Sequence, residues 1–325
     1  MVYSIAHSII SPLGVGSLAN IEAVRAGRSG LRIYADRFAD VEPFCASLFD
    51  TPQEFVPLCL RSIDDALHMV NDGNEWKELK SEQTIFILST TKGDHLDLLT
   101  PAKAIASHYG NLNQPVVVSN ACTSGVCAQI TAKRLLEAGL YKYAVVVGCD
   151  IQTRFIVSGF QSFKALSPEP CLPFSPDRKG LNLGEAVATI IYSSESPADG
   201  SQPLWRLHAG SIHNDANHLS APSRTGEGAY QCLQDVLAGI NPQDVSLLGV
   251  HGTATPYNDA MEQVAIERAG LQHAPLSVLK PFFGHTMGAA GVVETIIGAS
   301  MIEHGVFVKI LSGFGGVNAA IRIEK

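Results

Sequence analysis

Short runs of aliphatic and β-branched residues recur along the chain at 84–88, 116–119, 144–147, 188–192, 247–250 and 306–311. Helical stretches lie between many of them, at 19–26, 61–71, 124–138, 261–269 and 288–304. This alternation constrains the fold more than any other feature, because strands separated by helices build a layered α/β architecture. Several of the runs are apolar throughout rather than at every second residue, as strands are when both faces of their sheet are covered. The polar stretch SSESPADGSQ at 193–202 reads as a boundary. It divides the chain into 1–195 and 196–325, each with a strand that leads into a chemically capable turn and then a helix. A second loop is expected at 165–184, which is rich in Pro, Ser and Gly.

Composition narrows the function classes. Of 325 residues, 46% are apolar and only 17% are charged, which fits a compact core. A net charge of −8 argues against generic nucleic-acid binding. The seven cysteines are odd in number and scattered, with no C-x-x-C pair, so neither a disulfide framework nor a metal cluster is expected. The opening residues lack a basic segment followed by a long apolar one, and no run approaches the roughly 18 apolar residues of a membrane span. The expectation is a reduced, cytoplasmic protein with no membrane span and no metal or redox cofactor.

Three segments carry chemistry. In VVVSNACTSGVCAQITAKRLLEAGL (116–140), Cys122 sits in a sharp turn between a strand and a helix. Unpaired N–H groups and the positive end of the helix dipole at such a position favour a thiolate. The competing reading is a buried structural cysteine, which is how Cys127 and Cys149 are read. In LLGVHGTATPYND (247–259), His251 follows an apolar strand, Gly252 and Pro256 mark a turn, and Thr253, Thr255 and Asn258 offer hydrogen bonds. In SVLKPFFGHTMGAAGVVETIIGA (277–299), Lys280 precedes His285 by five residues, and a Gly/Ala-rich helix follows. Taken singly, each histidine is more often structural or on the surface. Of the remaining nine, only His218 in DANHLSAP has a comparable setting.

Taken together, these segments resemble the β-ketoacyl synthase branch of the thiolase-like condensing enzymes. The resemblance runs from ISPLG at 10–14 through SNACTSG (119–125), KALSPEPCLPFSPDRKGLNLGEA (164–186), DANHLSAP (215–222), HGTATPYND (251–259) and KPFFGHTMGAAGVVE (280–294) to GFGGVNAAI (313–321). It implies a thiolase-like fold of two similar α/β halves in an α-β-α-β-α layering. It implies Cys122 as the nucleophile and His251 and His285 as paired imidazoles, supported by Lys280, Glu294, Thr253 and Thr255. Phe314 matches the family's gate, and the N–H groups of Cys122 and Phe314 match its oxyanion hole. The implied reaction is a decarboxylative condensation of an acyl thioester with malonyl-carrier protein, in fatty acid or polyketide elongation. The implied partners are an acyl carrier protein and a second subunit, either identical or a homologous ketosynthase.

Neighbouring families fit less well. No cysteine follows Cys232, where a thiolase would need its second one, and the histidine in GHTMGAAG departs from Cys-His-Asn enzymes. Two further readings stay open. One is a chain-length-factor-like partner subunit with little condensing activity, and the other is a Cys-His hydrolase. The chain also departs from the usual family pattern. It is several tens of residues shorter, only HGVFVKILS (304–312) separates the GAAG helix from GFGG, and Asn120 and Thr123 flank the nucleophile where small residues are more usual.

Overall fold

The structure, a computed structural model, describes residues 1–71, 76–196 and 203–325. Ten strands form one long mixed sheet. Five precede the expected boundary: β1 (Val2–Ser11), β2 (Thr84–Ser89), β3 (Val116–Val118), β4 (Tyr143–Asp150) and β5 (Ala186–Ser193). Five follow it: β6 (Trp205–Asn214), β7 (Val245–Gly249), β8 (Leu276–Ser277), β9 (Val306–Gly313) and β10 (Val317–Glu324). Their order is β8-β7-β9-β10-β6-β1-β5-β4-β2-β3, and the short strand Gly14–Val15 folds back on β1. Each half therefore repeats one plan. The first strand lies at the centre, followed outwards by the fifth, fourth, second and third. In both halves the fifth strand is antiparallel to its neighbours, while the outer three are parallel. The halves meet at three residue pairs between β1 and β6, from Val2–Leu207 to Ser4–Trp205. The polar stretch 193–202 falls largely outside the described residues.

Nine helices are described: α1 (Ser17–Arg25), α2 (Phe55–Asn71), α3 (Leu99–His108), α4 (Ser124–Glu137), α5 (Arg154–Ser162), α6 (Glu227–Val236), α7 (Pro256–Arg268), α8 (Lys280–Phe283) and α9 (Ala290–Met301). Helices α4 and α9 lie between the two halves of the sheet, with α2 and α3 outside one half and α6 and α7 outside the other. This is the α-β-α-β-α layering, and it explains the uninterrupted apolar runs. On β4, Ala144 and Val146 face α4 and α9, whereas Val145 and Val147 face α2 and α3. On β9, Phe307 and Leu311 face inward, whereas Val308 and Ile310 face α6 and α7. A strand with period-two side chains and a core on each side has no polar face to show.

Some sequence expectations shift. The helix expected at 61–71 begins at Phe55, with Pro57 in its first turn, where a missing N–H leaves no intrahelical bond unmade. The helix expected at 288–304 opens as a 3₁₀ turn at Met287–Ala289 and continues as α9. Apolar runs alone pass over β1, β6 and β10, which carry polar residues such as Ser4, His7, Arg206, His208 and Asn318.

The two central helices touch backbone to backbone. A β-carbon on Gly125 would lie 2.8 Å from the Gly291 Cα and from the Val292 nitrogen. Gln129 rivets the crossing by donating to the Gly291 carbonyl (3.0 Å) and Thr295 Oγ1 (3.2 Å) while accepting from the Tyr192 hydroxyl (2.8 Å). Because α4 starts just after Cys122 and α9 just after His285, this crossing sets the distance between them. Gly125→Ala is expected to lower stability by about 1–3 kcal/mol through overpacking. The urea midpoint measures this, and an unchanged midpoint would mean that the helices separate freely.

Candidate active site

The nucleophile turn is strained and stapled. Ala121 has φ 47°, in the left-handed region that disfavours a side chain. Three short bonds hold the turn. The Asn120 N–H donates to Ser124 Oγ (2.7 Å), the Ser124 hydroxyl donates to the Ala121 carbonyl (2.6 Å), and the Thr123 hydroxyl donates to the Asn120 carbonyl (2.7 Å). Asn120 Nδ2 also reaches Cys127 Sγ at 3.4 Å. The two residues unusual for the motif, Asn120 and Thr123, thus hold the elbow and pin Cys127 as core.

His251 leaves β7 on a turn clamped by Glu262 of α7. The buried carboxylate accepts from the N–H groups of His251 (2.5 Å) and Gly252 (2.7 Å) and from Asn258 Nδ2 (3.1 Å). Burial pushes Glu262 up to about 7 against these donors. His285 lies on an extended segment beside residues 182–184. Its N–H donates to the Asn182 carbonyl (2.7 Å), and the His285 carbonyl accepts from the Gly184 N–H (3.0 Å). The preceding Gly284 has φ 66° and packs onto the Leu183 carbonyl, leaving no room for a β-carbon.

These elements bring the three predicted residues together. His285 Nε2 lies 2.9 Å from Cys122 Sγ. The rings of His251 and His285 stand 5.2 Å apart between centroids at 79°. The donor atoms of all three residues lie within 4.8 Å of one another, a spacing that could also hold a metal ion. The Met287 N–H points at His285 Nδ1 (3.4 Å), so the proton belongs on Nε2, which donates towards the sulfur. Burial pushes both imidazoles well below their ordinary range. Lys280 and Lys309 act in the same direction on both, and His285 adds to the effect on His251. Both rings are therefore neutral donors.

The sulfur departs from the sequence expectation of a resting thiolate. Burial pushes the Cys122 thiol up to about 11, while Lys280 and the N–H groups of Phe314 and Cys122 pull the other way without prevailing. Those two N–H groups favour the charged form of the sulfur, as donors beside it do.

Lys280 is fully buried, not solvated, and its Nζ lies 2.5 Å from Glu294 Oε1. A second buried lysine, Lys309, lies 2.6 Å from the other oxygen of Glu294. Burial alone would raise the Glu294 carboxyl, but the two lysines hold it below the usual carboxylate range. Thr253 and Thr255 bond each other through their hydroxyls at 2.9 Å and line the cleft. Phe314 is 41% exposed, stacks on Phe160 (6.0 Å, 22°) and meets Phe163 edge-on (6.1 Å, 71°). Gly315 and Gly316 follow it at φ 87° and 76°. The Gly315 N–H donates to the Leu219 carbonyl (2.7 Å), which ties the Phe314 loop to the segment carrying His218. Cys122, His251 and His285 form the buried end of a cleft of about 520 Å³, which the exposed Leu219 and Tyr257 also line.

Sequence reasoning missed three supporting residues. Lys309 and Glu262 are described above. The third is Asp150, which accepts from the Thr90 hydroxyl (2.9 Å), the Thr91 N–H (3.0 Å), Lys92 Nζ (3.2 Å) and the Gly288 N–H (2.7 Å), tying β4 to the turn after His285. Lys309 and Asp150 had a signal in the sequence, a single charge within or at the end of an apolar run. Glu262 sits among other polar helix residues and had none.

Residues 78–198 match the family described as Beta-ketoacyl synthase, N-terminal domain, and residues 206–313 match Beta-ketoacyl synthase, C-terminal domain. The chain belongs to the β-ketoacyl synthase family. This family member is 33% identical over 234 residues to Nodulation protein E of Rhizobium meliloti, covering 67% of the chain and 58% of that protein. It is 33% identical over 201 residues to 3-oxoacyl-[acyl-carrier-protein] synthase 2 of Rhizobium meliloti strain 1021, covering 57% and 48%. The match thus spans roughly half of these relatives' length. In fold, the chain superposes on a ketosynthase in complex with its chain length factor from Xenorhabdus doucetiae, with TM-score 0.87, 23% identity and 99% and 97% of the two chains covered. It likewise superposes on a complex of a type II polyketide synthase acyl-carrier protein with its ketosynthase, with TM-score 0.89, 19% identity and 99% and 98% covered. Among the described residues, no helix is long and apolar enough to cross a membrane.

Proposed function

We propose that this β-ketoacyl synthase carries an acyl chain on Cys122 and condenses it with a malonyl thioester. The observation that carries this reading is the 2.9 Å approach of His285 Nε2 to Cys122 Sγ beside a second neutral imidazole, at the buried end of an open cleft. The nucleophile comes from 1–195 and both imidazoles from 196–325. In the first half-reaction Sγ attacks the acyl thioester carbonyl, and the carrier thiol leaves with the proton that Cys122 gives up. In the second, malonyl-thioester loses CO₂, and Nε2–H donors of His251 and His285 stabilise the enolate oxygen. The enolate carbon then bonds to the acyl carbon, and Cys122 departs as thiolate and is reprotonated. Lys280 and Glu294 hold the field around the rings, and Thr253 and Thr255 line the approach.

The partners that fit are an acyl carrier protein bearing acyl and malonyl groups, and a second ketosynthase subunit. β3 is the outermost strand of its half, its apolar side chains only half-buried, and it suits pairing with a second copy or a homologue. Light scattering is expected to show a dimer at micromolar concentration, and a stable, active monomer would refute it. A reducing, cytoplasmic setting fits seven cysteines that are all free and buried.

The test is incubation with acyl-carrier protein, with and without malonyl-carrier protein. A β-ketoacyl product supports condensation. Acyl transfer without condensation favours a chain-length-factor-like subunit, a reading that the presence of Cys122 opposes, and net hydrolysis favours a hydrolase.

Phe314 is too exposed to be a core anchor, and on a Gly-Phe-Gly-Gly turn it is suited to swing. Phe314→Ala should keep acyl loading but lose discrimination between acyl and malonyl donors. A drop in melting temperature with selectivity intact, as truncation of a core phenylalanine gives at about 3–5 kcal/mol, would retire the gate.

A further inference from the structure

Lys309 is a lysine within an otherwise apolar buried strand, and nothing in the proposed reaction uses it. Its side chain is 1% exposed and does not line the cleft. All three of its N–H donors are engaged. Nζ lies 2.6 Å from Glu294 Oε2, 2.8 Å from the Val250 carbonyl and 3.3 Å from the Gly249 carbonyl. Those carbonyls end the strand that delivers His251, whereas Glu294 is the partner of Lys280, on the segment that delivers His285. Among the described residues, the buried Nδ1 of His251 has no hydrogen-bond partner. The turn that carries the ring is held by Glu262 on one side and by Lys309 on the other, and the ring itself packs edge-on against His285.

We propose that Lys309 is a positioning residue that bridges the two halves of the catalytic machinery, tying the His251 turn to the Glu294–Lys280 pair and so fixing the His251 donor against His285. This inference rests on the condensing reading of the site. It adds a second lysine to the Lys280–Glu294 pair, making a buried Lys-Glu-Lys bracket with one surplus positive charge. The charged and titratable groups around the two imidazoles are Cys122 beside α4, Asp150 on β4, Glu262 on α7, Lys280 on α8, Glu294 on α9 and Lys309 on β9. Of these, Lys280 and Lys309 both disfavour imidazolium.

The experiment compares wild type with Lys309→Met. Histidine ¹⁵N spectra across a pH titration read the rings directly and do not depend on activity. Removing the cation should move imidazole titration to higher pH and shift the His251 resonances. In assays, acyl-enzyme formation should change less than about 3-fold, while malonyl decarboxylation falls on the order of 10²-fold, the scale of misplacing a catalytic group by about 1 Å. Its acid limb should move upward with the ring titration. If the single variant does not fold because Glu294 loses a partner, Lys309→Met/Glu294→Gln is compared with Glu294→Gln alone by the same readings. Unmoved ring titration and resonances, or both half-reactions falling in step with the folded fraction, overturn the proposal. Wild-type protein that performs neither half-reaction retires the condensing reading, and the ring spectra still decide whether Lys309 positions His251.

Discussion

Cys122→Ala is expected to carry no acyl group after incubation with an acyl carrier, whereas Cys127→Ala and Cys149→Ala load as wild type does. Loss of a covalent nucleophile costs on the order of 10⁶ in turnover, so intact mass should show an empty protein. The other two thiols lack what Cys122 has. Cys127 bonds Asn120 and Thr123 inside the elbow, and Cys149 is fully buried on the face of β4 that packs against α2 and α3. Of the three, Cys122 alone combines a place on the cleft with an imidazole at 2.9 Å. The pH dependence follows from its protonation. Burial holds the thiol up at about 11, so the thiol form dominates at neutral pH and the thiolate fraction grows as pH rises. Alkylation of Cys122 by iodoacetamide should accordingly accelerate with rising pH and slow as pH falls. Acyl mass that persisted on Cys122→Ala would overturn the assignment.

The parts of the structure legible in the sequence share one physical trait: each is a local pattern. Strands β2, β4, β7 and β9 announce themselves because both faces are largely buried and most of their residues are apolar. The elbow at Cys122 and the turns at His251 and His285 are visible because strand, turn residue and helix follow one another within a few positions. What was not legible depends on distant partners. Strands β1 and β6, where the halves join, and β10 beside them carry polar side chains that distant segments of the chain satisfy. Arg322 on β10, for instance, donates to the carbonyls of Val236 and Ala238, both at 3.0 Å. Glu262 looks like any helix glutamate until the His251 turn folds over it. Local sequence also misjudged the sulfur, since a helix start favours thiolate while the depth of burial, a property of the whole fold, opposes it.

His251→Ala and His285→Ala are expected to accept an acyl group from the carrier yet lose malonyl decarboxylation by roughly 10²–10³-fold each, the usual cost of removing one preorganised donor to a developing oxyanion. The geometry separates the two half-reactions. In the proposed reaction, acyl transfer forms its oxyanion at the carbon bonded to Sγ, where the N–H groups of Cys122 and Phe314 are proposed to serve. Decarboxylation develops charge on the malonyl thioester oxygen, where the neutral imidazoles serve. His285→Ala should also slow loading modestly, because it removes the Nε2–H that faces the sulfur. Donor and base roles are distinguished by His285→Asn. An amide donates without titrating, so this variant should retain more decarboxylation than His285→Ala. The pH sign is fixed by the rings. Burial and Lys280 hold both below the ordinary 6.5, so the donor form is present above that lowered value and is lost only as pH falls through it. Decarboxylation should therefore persist at about pH 6, where an ordinary imidazole would be largely charged. In Lys309→Met that reserve shrinks. Normal CO₂ release from both alanine variants would mean that the imidazoles serve some other step. An acid limb at the ordinary histidine position would mean that the rings are hydrated rather than buried when malonyl is bound.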